Sequence, residues 1–254
     1  MPKNNRYPKG APLWASQNFL TGRAEISRLI GLADLGRDDH LLEIGPGKGH
    51  ITRELLKRCG RLTAVELDPR LCAGLRERFA GEDRLELIEG DFLKRPLPKG
   101  PYKVFANIPF SKTTAIIRRL TQAGRPPEGA WLIVEWGAAK RFTGEGLAAC
   151  AIRPYFDVRI AARIPRTQFH PAPGVDAALL ALVRKSSPDL PWGRQGEYRA
   201  FLEHAFRDGP QSLLTKRQIS MALRLEGLGP ARRDGNMEYV QWLCLFRCWR
   251  EFYC

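Results

Sequence analysis

From residue 40 the chain alternates short, apolar, β-prone runs with stretches whose apolar residues recur at helical spacing. His40-Leu41-Leu42-Glu43-Ile44 predicts a strand that ends at Gly45-Pro46-Gly47-Lys48-Gly49, and residues 51–58 then have the period of a helix. Leu62-Thr63-Ala64-Val65 predicts a second strand, halted by Asp68-Pro69 before a helix over residues 71–79. Leu85-Glu86-Leu87-Ile88 and residues 102–106 predict two more strands, residues 113–123 a helix, and Trp131-Leu132-Ile133-Val134 another strand. Strands that alternate with helices imply a mostly parallel sheet covered on both faces. Residues 156–164 and 177–183 predict a late antiparallel pair, joined through the turn Pro171-Ala172-Pro173-Gly174.

After Lys185 the texture changes. Residues 186–191, Ser-Ser-Pro-Asp-Leu-Pro, have the composition of a linker, and beyond them only helical patterns appear, over residues 198–206, 213–225 and 239–252. In the last of these, Trp242, Leu245, Phe246, Trp249 and Phe252 recur at helical spacing and predict a packing face. The expected organisation is an α/β domain over residues 1–185 and a small all-helical domain over 186–254. A chain of 254 residues has room for both.

Charge adds a partner to this picture. The chain has 41 Lys and Arg against 27 Asp and Glu, a net charge of +14. The surplus is concentrated in the first 185 residues, with 31 basic and 19 acidic side chains, whereas the remainder has 10 and 8. Such an imbalance points to a polyanion, nucleic acid before membrane. Lys3, Arg6 and Lys9, and then Lys112, Arg118, Arg119 and Arg125, are its two clusters. No apolar run approaches the ~20 residues of a membrane span, and no apolar core follows the basic N-terminus, so no secretory signal is expected and a cytoplasmic location is. Cys59, Cys72, Cys150, Cys244, Cys248 and Cys254 form no CxxC pair and do not cluster with the four histidines. Buried structural thiols are expected, and no metal.

Candidate chemistry sits at the predicted strand ends. The glycines of Gly45-Pro46-Gly47-Lys48-Gly49 allow a tight turn and close approach of a ligand. Glu66, with Leu67 beside it, ends the second strand, where a carboxylate accepts hydrogen bonds from both hydroxyls of a ribose. These features fit a nicotinamide dinucleotide or S-adenosylmethionine. The spacing favours the latter, since His50 stands where a dinucleotide fingerprint wants its third glycine. The third strand ends in Glu89-Gly90-Asp91-Phe92, which offers an acceptor for an adenine amino group and a ring to cover it, though Gly-Asp is also ordinary turn chemistry. After the fourth strand comes Asn107-Ile108-Pro109-Phe110, which combines an amide acceptor, a stiffened turn and an aromatic ring. None of these groups is a strong base, which suits attack by a conjugated amino nitrogen on a methyl donor.

Asn107-Ile108-Pro109-Phe110 resembles the N-[IL]-P-[YF] motif of the ribosomal RNA adenine N6-methyltransferases. Three other segments agree with that family: Ser16-Gln17-Asn18-Phe19-Leu20, residues 43–49, and Phe169-His170-Pro171-Ala172-Pro173-Gly174-Val175-Asp176. Within it, Ile108 and Phe110 resemble the erythromycin-resistance (Erm) enzymes that act on 23S rRNA; enzymes of the KsgA type, acting on the small subunit, more often have Leu and Tyr there. The resemblance implies a Rossmann-like class I methyltransferase, with a mostly parallel seven-stranded sheet and a helical C-terminal domain. It also implies a cofactor site made by Asn18, Leu20, Gly45, Gly47, Glu66, Leu67, Asp91, Phe92 and Asn107. Asn107 and the Ile108 carbonyl would hold the target amino group, with Pro109 shaping the turn. Phe110 would stack on the base, and Phe169 would press its other side or edge. Lys3, Arg6, Lys9, Lys112, Arg118 and Arg119 would meet RNA. A monomer is the expectation. The rival readings are a KsgA-type enzyme, a non-catalytic RNA-binding factor of the same fold, and, more distantly, a nicotinamide-dependent oxidoreductase.

Overall fold

A computed structural model of the chain describes residues 18–230 and 236–253. Two short strands, β1 (Phe19–Leu20) and β8 (Phe169–His170), pair antiparallel as a separate ribbon. The main sheet comprises β2 (His40–Ile44), β3 (Arg61–Glu66), β4 (Leu85–Glu89), β5 (Lys103–Asn107), β6 (Gly129–Glu135), β7 (Phe156–Ile164) and β9 (Ala177–Arg184). Its order is β4-β3-β2-β5-β6-β9-β7. The pairs β3–β4, β2–β3, β2–β5 and β5–β6 are parallel, and β6–β9 is antiparallel. The expected mostly parallel seven-stranded sheet is therefore present. Strands β2 and β7 coincide with the apolar runs that announce them, β5 is shifted by one residue, and β3, β4, β6 and β9 extend theirs by one or two residues at an end.

The helices that connect these strands are α1 (Arg23–Ile30), α2 (His50–Leu55), α3 (Pro69–Arg78), α4 (Thr113–Thr121), α5 (Trp136–Thr143) and α6 (Leu147–Cys150). Helix α3 starts on a local signal: the Asp68 carboxylate accepts from Arg70 N at 2.9 Å, and Pro69 occupies the first helical position. Helix α2 follows Gly49, whose φ of 76° is left-handed.

The central strands are buried on both faces, as a parallel sheet between helices requires. Every residue from Gly129 to Val134 and from Ala177 to Leu182 is buried, so these stretches read as unbroken apolar runs. One layer gathers Ile26, Leu29 and Ile30 of α1 with Leu41, Leu62, Phe105, Trp131, Ile133 and Leu179 of the sheet. Strand β4, at the sheet's edge, is less buried and carries Glu86 and Glu89, the kind of charge that blunts an exposed edge.

The chain divides into two compact units. One runs through Ala139 and takes up Arg159–Val183; the other holds Lys140–Val158 with the residues from Arg184 onward. The second unit thus contains α6 as well as α7 (Gln195–Asp208), α8 (Lys216–Leu225) and α9 (Tyr239–Tyr253). Helix α8 begins later than its apolar pattern because Thr215 and Gln218 close a capping box. In α9, Leu245 and Phe246 are fully buried, and Phe246 meets Tyr198 and Phe201 of α7 edge-on. Trp242 stacks on Phe206 and Trp249 tilts against Phe201, so most of the predicted face packs. Phe252 departs from it, half exposed in the last turn. Cys59, Cys72, Cys150 and Cys244 are buried free thiols, and Cys248 is half-buried. No helix among the described residues is long and apolar enough to cross a membrane.

Candidate active site

Sheet order decides where a ligand can lie. From β2 the chain passes to β3 on one side, and β5 later lies on the other. A crevice outside the carboxyl ends of the strands opens at such a switch point. The loop from Gly45 to Gly49 leaves β2 at that place. Gly45, Gly47 and Gly49 all have left-handed φ, of 68°, 59° and 76°. A Cβ added to Gly45 would meet nothing within 4 Å, so space above the loop is open there. At Gly47 it would come within 2.5 Å of the Phe19 ring, which covers the loop from the β1 side.

Glu66 is 1% exposed, and both carboxylate oxygens accept backbone N–H groups: Gly47 N donates to Oε2 and Asp68 N to Oε1, each at 2.9 Å. A carboxylate has about four lone-pair sites, so each oxygen keeps capacity for a ligand hydroxyl. The end of β3 is thereby tied to the glycine loop. Leu67 is half exposed beside it. Asp91 caps the short turn Phe92–Lys94 by accepting from Leu93 N at 2.9 Å. Phe92 is buried, with the Arg119 guanidinium 5.8 Å from its ring centre. Arg119 also donates to the Arg95 carbonyl, so its guanidinium braces this turn. The open space at Gly45, the anchored carboxylate of Glu66 and the Asp91–Phe92 turn together suit an adenosine-bearing ligand.

Asn107 ends β5, and its Nδ2 donates to the Asn18 carbonyl at 2.8 Å. Ile108 is buried, and its N–H donates to the Ile133 carbonyl at 3.3 Å. Pro109 is exposed. Phe110 is half-buried, and its carbonyl accepts from Thr113 Oγ1 at 3.0 Å. The ribbon sets Phe19 opposite His170 and Leu20 opposite Phe169. Segments some 150 residues apart in sequence thereby meet beside Asn107.

Phe169 is 4% exposed and packs in the apolar layer with Leu20 and Phe110, so the base contact expected of it requires that ring to be uncovered. Lys112 and Arg118 are exposed on α4 and the turn before it. Lys3, Arg6 and Lys9, like Ser16 and Gln17, lie outside the described residues.

Two features escaped the sequence reading. Glu43 is 1% exposed, and its Oε2 meets no hydrogen-bond partner among the described residues. Burial pushes its pKa up to about 8; Thr52 opposes the shift and the negative charge of Glu66 adds to it. The signal was a carboxylate inside a strand buried on both faces. The second feature lies past the end of β6, where Arg163 sits over the Trp136 ring and pairs with Asp176.

The chain matches the family model described as ribosomal RNA adenine dimethylase over residues 14–243. It is 35% identical over 240 residues to an rRNA adenine N-6-methyltransferase of Lysinibacillus sphaericus, covering 93% of this chain and 96% of that one. It is 31% identical over 249 residues to a ribosomal RNA small subunit methyltransferase A of Dehalococcoides mccartyi, covering 90% and 86%. Among solved structures it resembles the 23S rRNA methyltransferase ErmE, with a TM-score of 0.80 at 31% identity, over 92% of this chain and 100% of that one.

Proposed function

Because the chain belongs to the ribosomal RNA adenine dimethylase family, we propose that it transfers methyl groups from S-adenosyl-L-methionine to the N6 amino group of one adenine in 23S rRNA. Mono- or dimethylation there would confer macrolide, lincosamide and streptogramin B resistance. The observation that carries this reading is the orientation of Asn107. Its Nδ2 is engaged by the Asn18 carbonyl, which leaves Oδ1 as the acceptor for a target amine.

When bound, the cofactor supplies an electrophilic methyl group on a sulfonium. Glu66 takes its ribose hydroxyls, Asp91 its adenine amino group, and Phe92 packs on the ring. Asn107 Oδ1 and the Ile108 carbonyl each accept a hydrogen from the target amine, which aims the nitrogen lone pair and receives the proton lost after attack on its way to solvent. Phe110 stacks on the base, worth about 1–3 kcal/mol. The protein's contribution is positioning and fixed dipoles, with no strong base required. The target adenine leaves its stack, at a cost lowered in irregular or single-stranded RNA. Lys112, Arg118 and the N-terminal lysines and arginine supply phosphate contacts that weaken with salt. We place the protein in the cytoplasm as a monomer.

The likeness to a small-subunit methyltransferase supports a second reading, 16S rRNA as substrate. Labelled S-adenosylmethionine offered with protein-free 23S and 16S rRNA, followed by nuclease digestion and mass spectrometry, separates the two. N6-methyladenine in 23S alone is the expected result. Label in 16S alone replaces the proposal with the second reading. No transfer despite RNA binding makes the protein a non-catalytic factor.

A further inference from the structure

Beyond Glu135 the antiparallel ladder of β6 and β9 continues for one more bond, Trp136 N donating to the Asp176 carbonyl at 3.0 Å. The side chains here form an ordered stack. The Arg163 guanidinium lies 5.1 Å from the Trp136 ring centre. Its Nε and Nη2 both reach Asp176 Oδ2, at 2.9 and 2.7 Å. The other carboxylate oxygen of Asp176 accepts from Arg166 N at 3.0 Å. These contacts hold the Asp176 carboxyl below the usual range, the Arg166 N–H first and the Arg163 guanidinium next, so the clamp is ionised throughout the neutral range.

The Arg163 side chain is 63% exposed. Two of its nitrogens are committed to the carboxylate and its central carbon sits over the Trp136 ring, yet most of the side chain's surface remains open to solvent. Planar guanidinium faces stack on nucleobases, and unstacked RNA bases are taken up on such planes. The position is next to the target pocket: Trp136 lies three residues past Ile133, whose carbonyl holds Ile108, at most ~10 Å of strand rise further on.

We infer that Arg163, held over Trp136 and fixed by Asp176, is a second base platform that takes a nucleotide flanking the target adenine. The inference rests on the RNA-methylating reading above and deepens it. The flanking base would stack on the exposed guanidinium face while Phe110 receives the target.

The test pairs protein and RNA changes. A short RNA substrate is made with an abasic site on either side of the target, one side at a time. Methylation kinetics are compared for the wild type, Arg163→Lys, which keeps charge but loses the plane, and Trp136→Leu. In the wild type, one of the two abasic substrates should lose about 5- to 150-fold in kcat/KM, the range that base stacking spans. Arg163→Lys should lose a similar factor on the intact RNA and show no further loss on the abasic one. Should a variant fail to fold, quenching of 2-aminopurine at the flanking position on wild-type binding reports the same contact. A wild type indifferent to both abasic sites, or an Arg163→Lys enzyme equal to wild type on intact RNA, overturns the platform while leaving the methylation reading in place. Absence of methylation on intact RNA overturns both.

Discussion

The side-chain amide of Asn107 is oriented by the backbone of Asn18, whose carbonyl accepts its Nδ2 at 2.8 Å. An amide held at one end presents the other end in a known sense, so the acceptor at this sheet edge is fixed before any substrate arrives. The contact also makes the N-terminal segment part of the site, although it precedes β5 by some 80 residues.

Asn107→Asp separates acceptor from anchor. A carboxylate there would set oxygen against the Asn18 carbonyl and add charge beside the target amine. Methyl transfer should fall by at least about 100-fold, the scale on which a single preorganised group acts in a transition state. Filter binding of RNA should be unchanged. Turnover near the wild-type rate would remove Asn107 from the mechanism.

Glu66→Gln tests the anchored carboxylate. A carboxamide has one oxygen for two backbone donors, so its NH₂ must face Gly47 N or Asp68 N, at a cost of about 1–3 kcal/mol. Thermal melting should drop, and calorimetry should show the cofactor Kd rising about tenfold or more. RNA affinity should not move. Equal cofactor affinity in the variant would refute the ribose role.

Gly45→Ala and Gly47→Ala should part company. Both impose a left-handed φ on alanine, worth roughly 1 kcal/mol or somewhat more. At Gly47 the methyl also strikes the Phe19 ring, adding about 1–3 kcal/mol of overpacking. At Gly45 the methyl enters open space, so its excess defect should appear as weakened cofactor binding rather than lost stability. Denaturant melts with and without cofactor distinguish the two.

Glu43 predicts a pH dependence. Its carboxyl titrates near 8 in the folded chain and near its ordinary value of 4.5 when unfolded. Between those values the folded state binds the extra proton, so stability from this group falls as pH rises through that window, by up to about 1.4 kcal/mol per unit. Below about pH 4.5 both states are protonated and the effect vanishes. Glu43→Gln should flatten this slope, so that the variant gains on the wild type from pH 5 to 8. Parallel stability curves for the two proteins would show that Glu43 is ionised in the fold.

Much of this molecule was legible before its structure, for an identifiable reason. The strands β2 to β6 carry short apolar runs punctuated by Gly, Pro and Asp, and those marks are local. Glu66, Asp91 and Asn107 were found because each closes such a run. The ribbon of β1 and β8 was illegible because two residues have no period; only the fold brings Phe19 opposite His170. Glu43 hid inside an apolar strand, and its burial follows from that strand's central place in a sheet covered on both faces. Phe169 is expected as a base contact from the family resemblance, and its burial beside Leu20 across the ribbon has no local mark in the sequence. Arg163 carries no local mark, and nothing in its neighbourhood of sequence announces Trp136 or Asp176 as its partners.

The reversal between β6 and β9 has a consequence for how such a pocket is assembled. A parallel strand contributes to the sheet's carboxyl edge the residues that come after it, as β2, β3, β4 and β5 do. Strand β9 runs the other way, with Ala177 opposite Glu135, so it delivers the residues that come before it. One inverted strand thus gives the pocket a wall read backwards along the chain.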